Sequence, residues 1–409
     1  MKLIVSSTAL AEAAKNLCRV INAKNALPIL GDILCEANEQ DRTLRLTASD
    51  SEIWATTSLQ LQECEGEGRF CVGATRLQEA VGELSEQPVT ITATTEGCDL
   101  ARAEQNRDSD SAEREQARPT GQCDNVFTLT HETGDAHFPI DNADEYPAQP
   151  ELKDIATVWM PWGEVMAALN ACQWATSNDD LRPIMNGVYF NFTKDFADIT
   201  ASDGHVLMRY RQAKDYGCEG SFIMPRKVAK LLPAMMAGED KEDEANILWN
   251  DRQGCVESDR LTLTFRLIEG RYPNYQSVIP EDHIYWAEVQ RGSLLNAVRK
   301  VSPFASDSSQ LLRCEFERER LTLQGEDYDF SVGASDRIYA DCNVIDPVTI
   351  GLKASGLASM LTKLPYAELA VRFSDPSRAV TFEEKPEEGR ESKQLGSILG
   401  LMMPMLVND

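Results

Sequence analysis

Residues 199–210 read ITASDGHVLMRY, and the fold of this stretch decides how the rest of the chain is interpreted. Ser202, Asp203 and His205 fall close together inside a run of strand-forming side chains. Such a set can be a catalytic cluster, or it can be a tight turn whose aspartate accepts backbone hydrogen bonds. The first hypothesis, an enzyme that uses Asp203 and His205, also needs a second carboxylate and an oxyanion site, which no neighbouring motif marks.

The turn is favoured because the chain uses the same pattern three times. TASDSEIW at 47–54 keeps the serine and the aspartate without a histidine, and GEDYD at 325–329 keeps an acidic residue. A side chain that recurs once per repeat is typical of a backbone device, and Gly204 can adopt the positive φ of a tight turn. We therefore expect a structural turn here and no catalytic site.

Three tandem repeats organise the whole chain. Segments that start at Lys2, Thr157 and Ile284 each begin with a short strand followed by an amphipathic helix. Each repeat continues with further strands and a second helix, in the approximate order β-α-β-β-β-α-β-β-β. The prediction is an α+β fold of three tandem copies, each with two helices packed on antiparallel sheets, in domains 1–150, 155–282 and 283–409. The apolar helix faces include Leu10, Ala14, Leu17 and Val20 in the first repeat and Leu294, Leu295, Val298 and Val301 in the third.

Composition narrows the function classes. The chain has 409 residues, a formal charge of −26, eleven cysteines without a Cys-x-x-Cys pair and only four histidines. We expect reduced thiols, no metal centre and no cofactor. The amino-terminal apolar run is too short for a signal peptide and no stretch is long enough to cross a membrane, so we expect a cytoplasmic location. Residues 102–122 are highly charged and predict a disordered acidic insert in the first repeat.

Positive charge is concentrated in the six predicted helices, at 8–22, 75–86, 162–177, 225–237, 291–303 and 353–364. The fourth and fifth helices each carry three cations and no acid, whereas the second and third are acidic overall. A basic set of helices inside a strongly acidic chain indicates a surface that faces a polyanion. No base-reading motif and no Gly-rich phosphate loop occurs, so we expect contact with a phosphate backbone of any sequence and no nucleotide hydrolysis.

Six stretches, in this order, resemble the bacterial DNA polymerase III beta subunit family of sliding clamps: ALPILGDIL (26–34), RPIMNGVYF (182–190), TASDGHVL (200–207), MPRKVAKLL (224–232), LIEGRYPNYQSVIP (267–280) and MMPML (402–406). The resemblance covers nearly the whole chain apart from the insert and a shorter charged loop predicted at 383–394. It implies a head-to-tail homodimeric ring whose helices line a hole for double-stranded DNA. It also implies a non-catalytic processivity factor that tethers the polymerase III catalytic subunit, the clamp loader, other polymerases and repair proteins through their short hydrophobic motifs.

The resemblance also assigns residues to three sites. A partner-peptide pocket between the second and third domains would be formed by Met185, Ser202, Gly204, His205, Val206, Leu207, Pro273, Val278, Ser355, Leu401, Met403, Pro404 and Met405. The DNA-facing residues would be Lys24, Arg76, Arg226, Lys227, Arg299 and Lys300. The dimer interface would join Phe127 and Leu129 to Pro303 and Phe304.

Two features depart from the family pattern. The acidic second and third helices would make DNA contact uneven around a ring, and LVND (406–409) gives the chain a longer and more acidic end. Besides the clamp, two alternatives remain: the enzyme described above, and a scaffolding repeat protein that has no role on DNA.

Overall fold

The computed structural model describes residues 1–22, 25, 27–94, 125–238, 240–386 and 396–407. Two sequence predictions, the DNA-facing Lys24 and the disordered insert at 102–122, lie outside the described residues. The chain divides into two units: unit 1 comprises Met1–Glu151 and Glu257–Phe265, and unit 2 comprises Leu152–Val256 and Arg266–Asp409. The boundaries of the three predicted domains are not tested by this division and stay a prediction.

Within the described residues, six α-helices form where the apolar spacing predicts them. They are α1 (Ser7–Cys18), α2 (Ala74–Gly82), α3 (Trp162–Cys172), α4 (Arg226–Met235), α5 (Arg291–Val301) and α6 (Ala354–Lys363). Each helix begins directly after a strand. The Ser6 hydroxyl caps α1 by accepting a hydrogen bond from the backbone N–H of Ala9 at 3.4 Å. All eight apolar residues predicted for the first and third repeats are buried.

The strands follow the same order in each repeat. In the first repeat they are β1 (Lys2–Ser6), β2 (Asp32–Asn38), β3 (Thr43–Ser49), β4 (Ile53–Gln60), β5 (Glu63–Glu65), β6 (Gly68–Gly73), β7 (Pro88–Thr94), β8 (Val126–His131) and β9 (Gly134–Asp141). In the second they are β10 (Ala156–Pro161), β11 (Gly187–Phe192), β12 (Ala197–Ser202), β13 (Val206–Gln212), β14 (Gly220–Pro225), β15 (Glu244–Trp249), β16 (Gln253–Glu257) and β17 (Leu261–Arg266). In the third they are β18 (Tyr285–Gln290), β19 (Leu311–Glu317), β20 (Arg320–Asp327), β21 (Val332–Tyr339), β22 (Asp341–Cys342), β23 (Val348–Lys353), β24 (Glu368–Phe373), β25 (Val380–Glu384) and β26 (Ser397–Met402).

Strand pairing is antiparallel and recurs in every repeat. One set of four strands has the orders β4-β3-β2-β6, β13-β12-β11-β14 and β21-β20-β19-β23. A second set has the order β1-β7-β8-β9 in the first repeat and β18-β24-β25-β26 in the third. The predicted fold class, helices on antiparallel sheets in three tandem copies, is confirmed.

The predicted strand order has three strands between the two helices of each repeat, which is too few. The described residues form five strands there in the first and third repeats and four in the second, because the strand before the second helix is distinct from the strand after the acidic turn. In the first repeat, for example, β6 pairs with β2 whereas β4 pairs with β3. The charged loop predicted from residue 383 also begins later, since β25 continues to Glu384, and residues 387–395 lie outside the described part of the chain.

The helix charges differ from the prediction at two places. Helix α2 ends at Gly82, so Glu83 and Glu86 are not part of it. The one acid of α3, Glu164, is buried and accepts a hydrogen bond from the Tyr216 hydroxyl. The two helices are therefore not acidic at their surfaces, because an acid counted from sequence alone need not be exposed.

Candidate functional site

The turn after β12 is a backbone device. Asp203 Oδ1 accepts hydrogen bonds from the N–H groups of His205 at 2.8 Å and Val206 at 2.7 Å. The Ser202 hydroxyl donates to the carbonyl of Val206 at 2.8 Å and accepts from the N–H of Gly204, whose φ is +91°. These bonds engage both polar side chains in holding the turn, as predicted.

The same turn occurs in the other two repeats. Asp50 Oδ1 accepts from the N–H of Ile53 at 2.8 Å, and Asp327 Oδ1 accepts from the N–H of Asp329 at 3.0 Å. Only the second repeat adds a histidine, and no described contact joins its ring to Asp203. The enzyme hypothesis therefore has no oriented acid–base pair at this place.

Hairpin β12–β13 lies beside the carboxyl-terminal segment. Strand β13 pairs with β26, with Val206 opposite Met402 and Leu207 opposite Leu401. Past β26, the N–H of Met403 donates to the carbonyl of His205 at 2.8 Å. These contacts bring the predicted tail residues next to the five predicted residues of the hairpin, which lie between Ser202 and Leu207.

The tail continues across a second element of the third repeat. The N–H of Met405 donates to the carbonyl of Gly351 at 2.8 Å, and a Cβ at Gly351 would lie 2.6 Å from the Met405 carbonyl oxygen. Only glycine allows this close approach of the two backbones. A Cβ at Gly356 would contact Met402 at 3.1 Å and Val206 at 3.5 Å, so the beginning of α6, where the predicted Ser355 lies, is also adjacent to the hairpin.

The segment between β17 and β18 carries two more of the predicted residues, Pro273 and Val278. Its tyrosines Tyr272 and Tyr275 are buried in one apolar cluster. That cluster also contains the predicted Leu207 and Leu401, together with Ile223, Ala379 and Leu399. Ile184 packs against it, next to the predicted Met185, whose carbonyl accepts from the N–H of Ser177 at 2.8 Å. Four of the five predicted segments thus contribute to this cluster or adjoin it, whereas the start of α6 with Ser355 is adjacent to the hairpin through Val206 and Met402, which are not members of the cluster.

By exposure, these residues fall into a buried set, which we call the floor, and an exposed set, which we call the rim. Leu207 and Leu401 are each 2% exposed, whereas Val278 is 50% and Met403 39% exposed. His205 and Pro273 are exposed as well. An apolar floor with exposed valine, proline and methionine side chains around it is chemically suited to a short apolar peptide, because methionine adapts its shape to different partners.

The predicted DNA-facing cations differ in their surroundings. Arg76, Lys227 and Arg299 are exposed. Arg226 is half-buried, with its Nε enclosed, and Lys300 Nζ lies 2.9 Å from Asp336 Oδ2. An exposed arginine can reach a phosphate directly, whereas Lys300 would first have to leave Asp336.

The predicted interface residues divide between interior and surface. Phe127 and Leu129 are fully buried in unit 1, where Phe127 stacks on Phe138 with the ring centroids 4.8 Å apart. Pro303 and Phe304 are exposed in unit 2. The first pair faces inward because alternate residues of a strand point to opposite faces, and these two lie on the core face of β8.

Sequence reasoning missed several residues that support the site, among them Tyr272, Tyr275, Asp198 and Arg211. One signal was available: counting outward from the turn places Asp198 opposite Arg211 in the hairpin register. Across the described ranges, no cluster of three or more His, Cys, Asp and Glu side chains could hold a metal ion, and no helix is long and apolar enough to span a bilayer.

Comparison with known proteins gives consistent matches over most of the chain. Residues 1–111 match the family model "DNA polymerase III beta subunit, N-terminal domain", and residues 160–274 match the model of its central domain. A beta sliding clamp from Synechocystis sp. is 24% identical over 402 residues, covering 93% of this chain and 95% of that protein.

Solved structures agree with these matches. The DNA polymerase III subunit beta from Pseudomonas aeruginosa superposes with a TM-score of 0.84 at 17% identity, with both chains fully covered. A second structure of that protein, also at a TM-score of 0.84 and 17% identity with full coverage of both chains, is described as bound to griselimycin. The chain belongs to the DNA polymerase III beta subunit family, the non-catalytic sliding clamps.

Proposed function

We propose that this chain is the processivity clamp of a replicative DNA polymerase, which encircles duplex DNA as a homodimer and tethers its partners through the site around Leu207 and Leu401. The observation that carries the proposal is a recurring strand pairing at the ends of the repeats. Strand β4 of the first repeat pairs with β17, the last strand of the second. Strand β13 of the second repeat pairs with β26, the last strand of the third.

The third repeat has the equivalent strand, β21, but no equivalent partner in the described residues. Among the strands that the structure describes, β21 pairs with β20 alone, so its other edge offers backbone groups for a further strand. By analogy with the other two repeats, its partner is the last strand of a first repeat, β9, supplied by a second copy. Two copies that exchange this contact close a head-to-tail ring of six repeats.

The exposed side chains of β21 support its role as an interface. Tyr339 is 72% and Val332 44% exposed, and the preceding turn carries Phe330 at 76%. We accordingly assign the dimer interface to the edges of β21 and β9, with Pro303 and Phe304 on a 3₁₀ turn, Ser302–Phe304, that contacts β21. The buried Phe127 and Leu129 then support the interface from behind rather than contacting the second copy.

DNA binding is proposed to be electrostatic and independent of sequence. The exposed cations Arg76, Lys227 and Arg299 lie on helices, whereas the chain as a whole carries a charge of −26. A weakly basic inner surface suits sliding, because a ring retains DNA by topology and requires no tight phosphate contacts. Arg226 and Lys300 are proposed to contribute less, because the first is half-buried and the second is engaged by Asp336.

The site around Leu207 and Leu401 is proposed to bind short hydrophobic motifs of the polymerase III catalytic subunit, the clamp loader, other polymerases and repair proteins. Its apolar floor and exposed Met403 and Val278 support this assignment. Tethering raises the effective concentration of polymerase at the primer end, so dissociation is followed by rebinding. We retain domains 1–150, 155–282 and 283–409 and a cytoplasmic location as parts of the same proposal.

The test is DNA synthesis on a primed circular template with the polymerase III catalytic subunit and the clamp loader. Adding this chain should lengthen the products at least tenfold. Met403→Asp and Val278→Asp should remove most of that gain, because a charge at the rim opposes burial of an apolar motif. Ile345→Asp is the matched control, since Ile345 is 95% exposed and lies outside the site. Products of equal length with and without the chain would contradict the proposal.

A further inference from the structure

The rim residues Pro273 and Val278 lie on a segment with little regular structure. Between β17 and β18, the described chain has one short 3₁₀ turn, Gln276–Val278. The N–H of Val278 donates within the segment, to the carbonyl of Tyr275 at 3.3 Å. No strand ladder holds Pro273 or Val278 in place, so their positions depend on side-chain anchors.

The strongest anchor is a buried carboxylate on β12. Asp198 is fully buried, and its two oxygens accept hydrogen bonds from Arg211 Nε at 2.7 Å and Arg211 Nη2 at 2.6 Å. Asp198 Oδ2 also accepts from the Tyr275 hydroxyl at 2.7 Å. Burial and the bond to Asp198 raise the pKa of Tyr275 to about 12, so the hydroxyl keeps its proton and remains a donor.

This arrangement crosslinks the irregular segment to the site's hairpin. Asp198 and Arg211 face one another across β12 and β13, the two strands that flank the turn at Asp203. The guanidinium of Arg211 also lies over the ring of Phe196, 4.1 Å from its centroid. A buried charge with three charge-assisted hydrogen bonds is rigidly oriented, because losing any one leaves a desolvated group unpaired.

Aromatic contacts extend the anchor along the segment. Tyr272 stacks on Tyr189 of β11 with the ring centroids 4.6 Å apart and the planes 2° from parallel. Tyr275 meets the edge of the same ring at 6.0 Å. Pro273 is therefore held between two fixed tyrosines, and Val278 lies three residues after the second, at the end of the 3₁₀ turn.

We propose that Asp198, with Arg211 and Tyr275, forms a buried latch that positions Pro273 and Val278 at the rim of the partner site, so that partner affinity depends on residues that do not touch the partner. The inference rests on the proposed function of that site. When the latch opens, the segment samples conformations in which the rim is incomplete. The apparent dissociation constant then rises in inverse proportion to the remaining competent fraction.

The test compares Tyr275→Phe with the unaltered dimer. The variant removes one hydroxyl and leaves the Asp198–Arg211 ion pair intact, so the fold is kept. The dissociation constant for the polymerase III catalytic subunit should rise about tenfold, and amide exchange in residues 270–279 should speed up. Tyr285→Phe is the control: its hydroxyl makes no hydrogen bond in the described part of the chain, and its affinity should change less than twofold.

The outcomes separate the two proposals. If the unaltered dimer does not bind the polymerase subunit, the proposed function is wrong, and the proposal of the latch is rejected with it. If the unaltered dimer binds and Tyr275→Phe binds equally well, with unchanged exchange in 270–279, the latch alone is overturned. Asp198→Asn is a second test. It weakens the hydrogen bonds of residue 198 to both Arg211 and Tyr275, so it should reduce affinity further than Tyr275→Phe does.

Discussion

At the residue scale, one aspartate in each of the three repeats stabilises the turn that follows it. Asp50, Asp203 and Asp327 each accept backbone N–H groups of the turn that follows. This device was predictable from sequence because repetition separates a structural residue from a catalytic one. The ion pair of Asp198 with Arg211 could be predicted from the hairpin register, but the hydrogen bond that Tyr275 adds to Asp198 could not. It comes from a segment without periodicity, whose position no sequence pattern specifies.

A half-buried carboxyl in unit 1, that of Asp32, makes stability depend on pH. Burial, followed by the hydrogen bond and charge of Asp141, raises the pKa of Asp32 to about 7. The folded chain therefore binds more protons than the unfolded chain between about pH 4 and pH 7. This contribution to stability is complete below about pH 4 and is lost as the pH rises through about 7. Because Asp32 is only partly buried, we expect a loss of about 1 kcal/mol.

Substitution of Asp32 isolates this effect. In Asp32→Asn, the free energy of unfolding should be higher than in the unaltered chain at about pH 8, and its decline between about pH 4 and 8 should be smaller. Urea denaturation followed by circular dichroism at several pH values measures both. Asp307→Asn, an exposed aspartate in unit 2, should leave the pH dependence unchanged. Equal pH dependence in Asp32→Asn and the unaltered chain would refute the assignment.

At the element scale, helices and strands were predicted well because each combines a clear period with a turn or cap. Helix ends were less certain: α2 stops at Gly82, four residues before the predicted end, and this removes two acids from it. Burial of single residues was hardest to predict. The core position of Glu164 depends on Tyr216, which lies 52 residues along the chain, and a sequence pattern does not report such a distant partner.

The free edge of β21 leads to a prediction about assembly. Tyr339→Glu places a charge on that edge and should raise the dissociation constant of the homodimer at least tenfold, because a buried unpaired charge opposes edge-to-edge pairing. Sedimentation over a range of concentrations measures this constant. Ile345→Glu, at a residue that is 95% exposed against 72% for Tyr339 and lies off the strand, should leave it within twofold of the original. If the dissociation constant of the Tyr339→Glu dimer were unchanged, the dimer interface would have to lie elsewhere.

At the scale of the whole molecule, the proposed function comes from using one module three times and then pairing two copies of the chain. The family and the fold could be inferred from six short stretches because all six occur in the order that the family has. The dimer interface stays a prediction: Phe127 and Leu129 look apolar enough for a contact surface, but strand alternation turns them into the core, and we propose the edge of β21 as the contact instead. The unpaired edge of β21 is visible only when all the strand ladders are compared.

Release from DNA on linearisation is the measurement that tests encirclement most directly. The clamp loader first loads the labelled protein onto nicked circular duplex DNA. The sample is then split into two portions, one of which is cut with a restriction enzyme, and both are run on gel filtration. The account predicts that the protein elutes with the intact circles, even at salt that screens phosphate contacts, and elutes free once the circles are cut. Equal retention on circular and linear DNA, or no retention on the circles, would contradict it.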